Sequence, residues 1–180
     1  MSKIFGISGS LRKSSFNTAL LRAARELHPD KIDIGDIKAI PLYNGDVEAA
    51  GTPEAVSGLK MQIMEFDGLL LVSPEYNNSM PGVLKNAIDW LSRPSQETRN
   101  VFRDKPVALI GATPGGFGTM LAQNAWLPVL RGLGARYWSG GRLMVSGAGR
   151  AFDEHGVLID ESIRERLDQF IRGFDEFCEL

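Results

Sequence analysis

The sequence predicts an α/β fold built on a doubly wound, five-stranded parallel sheet with helices on both faces. Three unbroken apolar runs lie far apart in the chain, at residues 4–7, 69–72 and 107–110, and segments with helical spacing lie between them. Apolar runs of this length are typical of strands buried on both faces, as in parallel sheets covered by helices. Strands that alternate with helices favour a parallel, doubly wound arrangement.

Two further segments complete the predicted sheet. Residues 31–34 alternate apolar with polar side chains, which is typical of a less buried edge strand, and residues 142–145 supply a fifth strand near the other end of the chain. With the three apolar runs placed inside, the predicted strand order is 2-1-3-4-5.

Five segments have the apolar spacing of helices. The first and last carry apolar side chains on one face, namely Leu20, Ala23, Ala24 and Leu27, and Ile163, Leu167, Phe170, Phe174 and Phe177. Two more helices are predicted at residues 53–66 and 83–91, and one at 119–132, where Pro128 should kink or end it. Asp160 and Glu161 are expected to begin the last helix. The 180 residues show no repeat or linker, so we expect one domain over residues 1–180.

Composition excludes several classes of protein. Hydrophobic residues make up 43% and charged residues 23% of the chain, which is ordinary globular usage. The net charge is −2 and no basic tract is present, so we expect no nucleic-acid partner. Apolar stretches are too short to span a bilayer, and Met1 leads almost directly into a strand, so we expect no membrane partner and no signal peptide. The single cysteine, Cys178, cannot form an internal disulfide, which favours the cytoplasm.

Three loops follow the first, third and fourth strands, where doubly wound sheets bind their ligands. The serine loop, residues 8–18, holds four serines, Arg12, Lys13 and no acid before it opens onto a helix. The N–H groups of a helix N-terminus and the nearby hydroxyls would hold a phosphate, to which Arg12 adds a charge-assisted contact. The alternative is that Ser15 or Asn17 only caps the helix.

The other two loops are suited to a flat ring. In the proline loop, residues 73–82, two prolines stiffen the backbone, Tyr76 and Met80 could pack on a ring, and Asn77 could bond its polar edge. The glycine loop, residues 112–119, permits close backbone approach to a ligand. The alternatives are a rigid surface turn and a flexible glycine loop. Together the three loops indicate a mononucleotide with a planar heterocycle.

Other nucleotide and hydrolase motifs are missing from the sequence. No Gly-Lys pair occurs, which excludes a Walker-type loop, and no G-x-G-x-x-G pattern follows the first strand. No G-x-S-x-G elbow follows any strand, which argues against an α/β-hydrolase.

Several motifs, in this order and spacing, closely resemble the NADPH-dependent FMN reductase family, and most nearly its bacterial quinone and chromate reductases. The motifs are residues 9–17, 41–44, 74–77, 82–90 and 152–156. The resemblance covers nearly the whole chain and implies a flavodoxin-like fold, bound FMN and NADPH or NADH as electron donor. It also implies a homodimer or homotetramer, although Pro128 departs from the family pattern in a helix used for subunit contacts.

The resemblance also assigns residues to the cofactor. It implies that the FMN phosphate is held by side chains of the serine loop, namely Ser10, Arg12, Ser15, Asn17 and Thr18. The isoalloxazine ring would be bordered by the proline loop through Pro74, Glu75, Tyr76 and Asn77. Its pyrimidine side would be closed by the glycine loop through Thr113, Pro114, Gly115 and Gly116.

The implied activity is transfer of electrons from a nicotinamide nucleotide, through the flavin, to a small acceptor such as a quinone, chromate, an azo compound or free flavin. The two substrates would share one ring face, which demands a ping-pong sequence and no obligatory catalytic side chain. One alternative is a flavodoxin-type electron carrier acting with protein partners, but such carriers are usually strongly acidic. A second alternative is a regulator that has lost the flavin, which the intact serine loop disfavours. His155 lies in a sequence typical of a hairpin turn rather than a metal site, and we expect no metal.

Overall fold

The computed structural model of the protein describes residues 2–180 and contains one parallel sheet. Its strands in chain order are β1 Ile4–Ser8, β2 Ile32–Gly35, β3 Gly68–Val72, β4 Pro106–Ala112, β5 Arg136–Tyr137 and β6 Leu143–Val145. All residues of β3 and β4 are buried, whereas β2 is only partly buried. This contrast follows from sequence, because the uninterrupted apolar runs lie inside the sheet and the alternating segment lies at its edge.

The strand order is β2-β1-β3-β4-β5, which confirms the predicted order and the flavodoxin-like fold. The fifth position is shared by two short strands that both pair with β4. Strand β5 pairs with Pro106 and Val107, and β6, which is the predicted fifth strand, pairs with residues 110–112. The sequence analysis missed β5, a two-residue strand with no apolar run of its own.

Seven α-helices are described in residues 2–180, and they cover both faces of the sheet as predicted. They are α1 Phe16–Leu27, α2 Gly45–Ala50, α3 Glu54–Met64, α4 Gly82–Leu91, α5 Thr98–Phe102, α6 Met120–Leu133 and α7 Glu161–Cys178. Helices α1 and α7 pack with one face of the sheet, and α3, α4 and α6 pack with the other. The short helices α2 and α5 were not predicted. Asp160 caps α7, as expected.

Helix α6 does not end at Pro128 but continues to Leu133. A proline inside a helix removes one backbone hydrogen bond and costs about 3 kcal/mol. Trp126 and Leu130, on either side of Pro128, are fully buried against the sheet, so their packing offsets that cost. Of the two outcomes expected at Pro128, a kink or an end of the helix, the end is therefore wrong.

Within residues 2–180, no helix combines the length and the apolar character needed to cross a membrane.

Candidate functional site

A cavity of about 270 Å³ opens at the carboxyl ends of β1, β3 and β4, where the serine, proline and glycine loops meet. Its lining comes from all three loops and consists of Ser10, Arg12, Ser15, Phe16, Asn17, Pro74, Glu75, Tyr76, Ala112, Thr113 and Pro114. We call this space the strand-end cavity. It lies where the strand order reverses, since β1 stands between β2 and β3.

The serine loop presents unpaired donors to the strand-end cavity. Ser15 is the N-cap of α1, and its hydroxyl accepts the N–H of Thr18 at 3.2 Å. The N–H groups of Phe16 and Asn17, the first two residues of α1, have no acceptor among the described residues. The exposed guanidinium of Arg12 lies in the same loop, where its Nη2 donates to the carbonyl of Ser14 at 2.7 Å. Free N–H groups at a helix N-terminus beside an arginine form an anion site.

The side chain of Asn17 is committed to the protein itself. It is buried, its Nδ2 donates to the carbonyl of Ala112 at 2.8 Å, and its Oδ1 accepts the N–H of Ala112 at 2.9 Å. This pair of bonds ties the start of α1 to the end of β4. Asn17 therefore faces the cavity with its backbone N–H free and its amide already paired.

The middle of the proline loop forms a two-residue hairpin turn. Tyr76 and Ser79 exchange backbone hydrogen bonds of 3.0 and 3.1 Å around Asn77 and Asn78, which have φ values of 50° and 62°. Asparagine tolerates this left-handed conformation better than most residues. Asn77 thus stands exposed at the tip of the hairpin.

The base of the proline loop packs tightly on the serine loop at Gly9. A Cβ on Gly9 would lie 2.9 Å from Leu84, 3.0 Å from Pro74 and 3.1 Å from Pro81, so a larger residue there would have to displace these side chains. Both prolines are buried. The proline loop is consequently held rigidly against the serine loop.

The glycine loop is fixed from behind by the segment that follows β6. The carbonyls of Thr113 and Gly115 accept the N–H groups of Ala148 and Gly147, each at 3.0 Å. Gly118 has a φ of 65° and a Cβ there would lie 2.7 Å from Met144, so this position requires glycine. Gly115 and Gly116 are exposed, and a Cβ would meet open space at Gly116 and an ordinary contact of 3.8 Å with Thr113 Oγ1 at Gly115.

The strand-end cavity brings together nine of the thirteen residues predicted to bind the cofactor. They are Ser10, Arg12, Ser15, Asn17, Pro74, Glu75, Tyr76, Thr113 and Pro114. The other four lie outside its lining. Thr18 faces a neighbouring groove and pairs its hydroxyl with that of Ser8 at 2.9 Å, while Asn77, Gly115 and Gly116 stand at exposed loop positions.

Phe16 and Ala112 line the cavity, and although both lie in loops predicted to form the site, neither was named as a cofactor-binding residue. Both lie inside predicted segments, Phe16 beside the helix cap and Ala112 at the end of β4. Their apolar side chains carry no binding chemistry that a residue pattern would reveal. Their position at a strand end and a helix start was the available signal.

The remaining motif residues serve the fold. Trp90 and Trp126 are fully buried, and Trp90 Nε1 donates to the carbonyl of Pro41 at 2.9 Å. His155 lies in a hairpin turn closed by a bridge between Phe152 and Leu158, which confirms that interpretation.

Cys178 is not poised for thiol chemistry. Burial against the sheet raises the pKa of the Cys178 thiol to about 12, so the thiol stays protonated at neutral pH.

The geometry of the strand-end cavity fits FMN. The part lined by the serine loop carries the free N–H groups of Phe16 and Asn17 and the guanidinium of Arg12, which suit a phosphate. The part lined by the proline and glycine loops, through Pro74, Tyr76 and Pro114, suits a planar ring, and we call it the ring end. Fold and site together define a flavodoxin-like, mononucleotide-binding protein.

Comparison with known proteins narrows this class to one family. The model of the family described as NADPH-dependent FMN reductase matches residues 2–150. An NAD(P)H-dependent FMN reductase of Pseudomonas aeruginosa is 47% identical over 173 residues, which cover 95% of this chain and 92% of the relative. A 2-hydroxy-1,4-benzoquinone reductase of a Burkholderia species is 39% identical over 171 residues, covering 94% of this chain and 92% of the relative.

A solved structure agrees with the sequence relatives. The flavoenzyme NAD(P)H:(acceptor) oxidoreductase FerB of Paracoccus denitrificans superposes with a TM-score of 0.88 and 34% identity, covering 99% of this chain and 98% of FerB. The chain therefore belongs to the NADPH-dependent FMN reductase family. This membership confirms the predicted resemblance, the oxidoreductase class, and FMN with NAD(P)H as its cofactors.

Proposed function

We propose that this protein holds FMN in the strand-end cavity and passes electrons from NAD(P)H to a small-molecule acceptor, with quinones as the principal class. When bound, the flavin supplies the chemistry by accepting a hydride from the nicotinamide and giving up electrons to the acceptor. The observation that carries the proposal is the cavity itself, which joins unpaired N–H donors and Arg12 at one end to Tyr76 and two prolines at the other.

Each loop has a separate task in this proposal. The phosphate is held by the backbone N–H groups of Phe16 and Asn17, by Arg12, and by the hydroxyls of Ser10 and Ser15. Thr18 supports the loop through its bond to Ser8. The ring is bordered by residues of the two other loops, namely Pro74, Glu75, Tyr76, Asn77, Thr113, Pro114, Gly115 and Gly116.

The openness of the ring end supports a small acceptor that exchanges with the nicotinamide. Tyr76 is 48% exposed at the edge of the cavity, and Phe117 of the glycine loop is 79% exposed. These apolar surfaces suit flat, hydrophobic molecules such as quinones, the class named for the Burkholderia relative. Chromate, azo compounds and free flavin are further acceptors in this proposal.

We also propose a cytoplasmic homodimer or homotetramer in which residues 1–180 act as one domain. Helix α6 supports the assembly, because several of its apolar side chains are more than a third exposed: Met120, Leu121 and Leu127. Exposed apolar side chains on one helix are typical of an interaction surface.

Steady-state kinetics with the purified, FMN-loaded protein tests this function. We expect NADPH oxidation with a benzoquinone and no partner protein, and parallel double-reciprocal lines because both substrates use one ring face. Oxidation that requires an added protein would instead support a flavodoxin-type carrier. Intersecting lines would require a separate acceptor site and would contradict the shared-face mechanism.

A further inference from the structure

Helix α6 begins beside the strand-end cavity without a cap of its own. Thr119 is its N-cap residue, but the buried Thr119 hydroxyl accepts from Gln123 Nε2 at 3.1 Å and makes no bond to the first-turn N–H groups. The first N–H groups of a helix need an acceptor, which is water or another part of the chain when the N-cap side chain is engaged elsewhere.

Glu75 supplies that acceptor from a different part of the chain. Its Oε2 accepts the N–H of Leu121 at 2.8 Å and that of Ala122 at 3.0 Å. These are the second and third positions of α6, which an N-cap side chain normally serves. The negative carboxylate also lies at the positive end of the helix dipole, which strengthens both bonds.

This contact joins two walls of the cavity. Glu75 belongs to the proline loop after β3, and α6 follows the glycine loop after β4. Within residues 2–180, the proline loop makes three hydrogen bonds to residues 113–133: the two of Glu75, and one that Trp126 Nε1 donates to the buried Ser73 hydroxyl at 2.9 Å. Ser73 lies directly after β3, so Glu75 is the residue that ties the outer part of the proline loop, beyond Pro74, to the start of α6.

We propose that Glu75 is a positioning residue, which fixes the width of the ring end of the cavity by capping α6 and not by binding the flavin with its side chain. This inference rests on the proposed location of FMN. It assigns the carboxylate a specific length requirement, because the side chain must span from the proline loop to two N–H groups of another helix. The length of the Glu75 side chain matters more for this contact than its negative charge.

Titration of apoprotein with FMN and with riboflavin tests the proposal. We expect Glu75→Ala to weaken both ligands by the same factor, about tenfold, since one helix cap is lost and the phosphate grip is untouched. Glu75→Gln keeps the length and a carbonyl oxygen and should stay within about threefold of the parent, as a neutral acceptor still caps. Glu75→Asp keeps the charge but is too short, and should resemble Glu75→Ala.

One control variant and one independent readout make the outcome specific. Asp160→Ala removes the cap of α7, where Asp160 accepts the N–H of Ile163 at 3.0 Å outside the cavity lining, and should leave flavin affinity unchanged. Amide hydrogen exchange should be faster at Leu121 and Ala122 in the alanine and aspartate variants.

Four results would contradict the proposal that Glu75 is a positioning residue. The first is that Glu75→Ala binds both flavins as the parent does, and the second is that Glu75→Ala loses affinity for FMN alone. The third is that Glu75→Asp retains flavin affinity while Glu75→Gln loses it. The fourth is that Asp160→Ala loses as much affinity as Glu75→Ala. If Glu75→Ala does not fold, the comparison of the glutamine and aspartate variants decides the question. Failure of the parent protein to bind FMN would instead contradict the proposed function, so the two failures are distinguishable.

Discussion

Arg12 is the only cationic side chain among the residues that line the strand-end cavity. Its exposed guanidinium stands near the start of α1, where two N–H groups are free. A phosphate bound there would interact with the full positive charge of Arg12 and with the partial positive charge at the N-terminus of α1.

We therefore expect Arg12→Ala to weaken FMN binding by about 1.5–3 kcal/mol, the range for a hydrogen bond to a charged group. Riboflavin, which lacks the phosphate, should lose almost nothing. Fluorescence titration of the apoprotein measures both. Lys13→Ala is the matched control, because Lys13 is not among the residues lining the cavity and should matter little. Equal losses for the two ligands would mean that Arg12 acts on the fold.

Asn17 illustrates a polar residue whose first task is structural. Its amide pairs both backbone groups of buried Ala112, and Asn17→Ala would leave an N–H and a C=O unpaired in the interior. We expect the free energy of unfolding to fall by about 1–3 kcal/mol even without flavin. Urea denaturation of the apoprotein measures this, with the exposed Asn100→Ala as control. Unchanged stability, with loss of FMN affinity alone, would show that the side chain binds the phosphate.

At the scale of elements, the hairpin of the proline loop separates a rigid base from an exposed tip. Pro74 is buried at the base, packed near Gly9, and Asn77 occupies a left-handed position at the tip. Glycine adopts that conformation freely, so Asn77→Gly preserves the turn.

We expect Pro74→Gly to slow flavin reduction by NADPH several-fold, because the loosened loop must be ordered again on binding. Asn77→Gly should leave the rate nearly unchanged. Anaerobic stopped-flow absorbance measures both rates, with circular dichroism to confirm folding. The opposite ranking would place control of the ring at the hairpin tip and would contradict this account of the loop.

Helices α1 and α7 meet at His28, the partly buried C-cap residue of α1, which should make stability depend on pH. Burial lowers the pKa of His28 below its ordinary value of 6.5, and this effect outweighs the attraction of Asp168, whose Oδ1 lies 3.0 Å from His28 Nε2. Arg172 and Lys31 lower the His28 pKa further. The unfolded chain consequently binds a proton more readily than the folded one.

Stability should therefore fall as the pH drops from about 7 towards 5, the window around the unfolded pKa of histidine. His28→Gln should flatten that part of the profile. The exposed His155→Gln serves as the control and should leave the slope as it is. Urea denaturation across this pH range provides the measurement, and an unchanged slope in His28→Gln would contradict the assignment.

At the scale of the whole molecule, the sequence predicts the strands and loops that local residue patterns determine. The apolar runs at residues 69–72 and 107–110 can be satisfied only inside a covered sheet, and both became central strands. The three loops at the strand ends were likewise predictable, because parallel strands bring their carboxyl ends to one edge.

What the sequence could not show depends on partners that are distant in the chain. The amide of Asn17 meets a residue 95 positions away, and Glu75 meets α6 from 46 positions away. Strand β5 has two residues and exists only because β4 is long enough to pair with it as well as with β6. No local spacing encodes these contacts, since they arise from tertiary packing.

The central claim is that one cavity serves the nicotinamide and the acceptor in turn, without a protein partner. Its most direct test is anaerobic mixing of the purified, FMN-loaded protein with stoichiometric NADPH, followed by addition of a benzoquinone. We predict that flavin absorbance is lost in the first step, with no acceptor present, and restored in the second, with one quinone reduced per NADPH consumed. Absorbance that changes only when NADPH and quinone are present together, or only when another protein is added, would contradict the account.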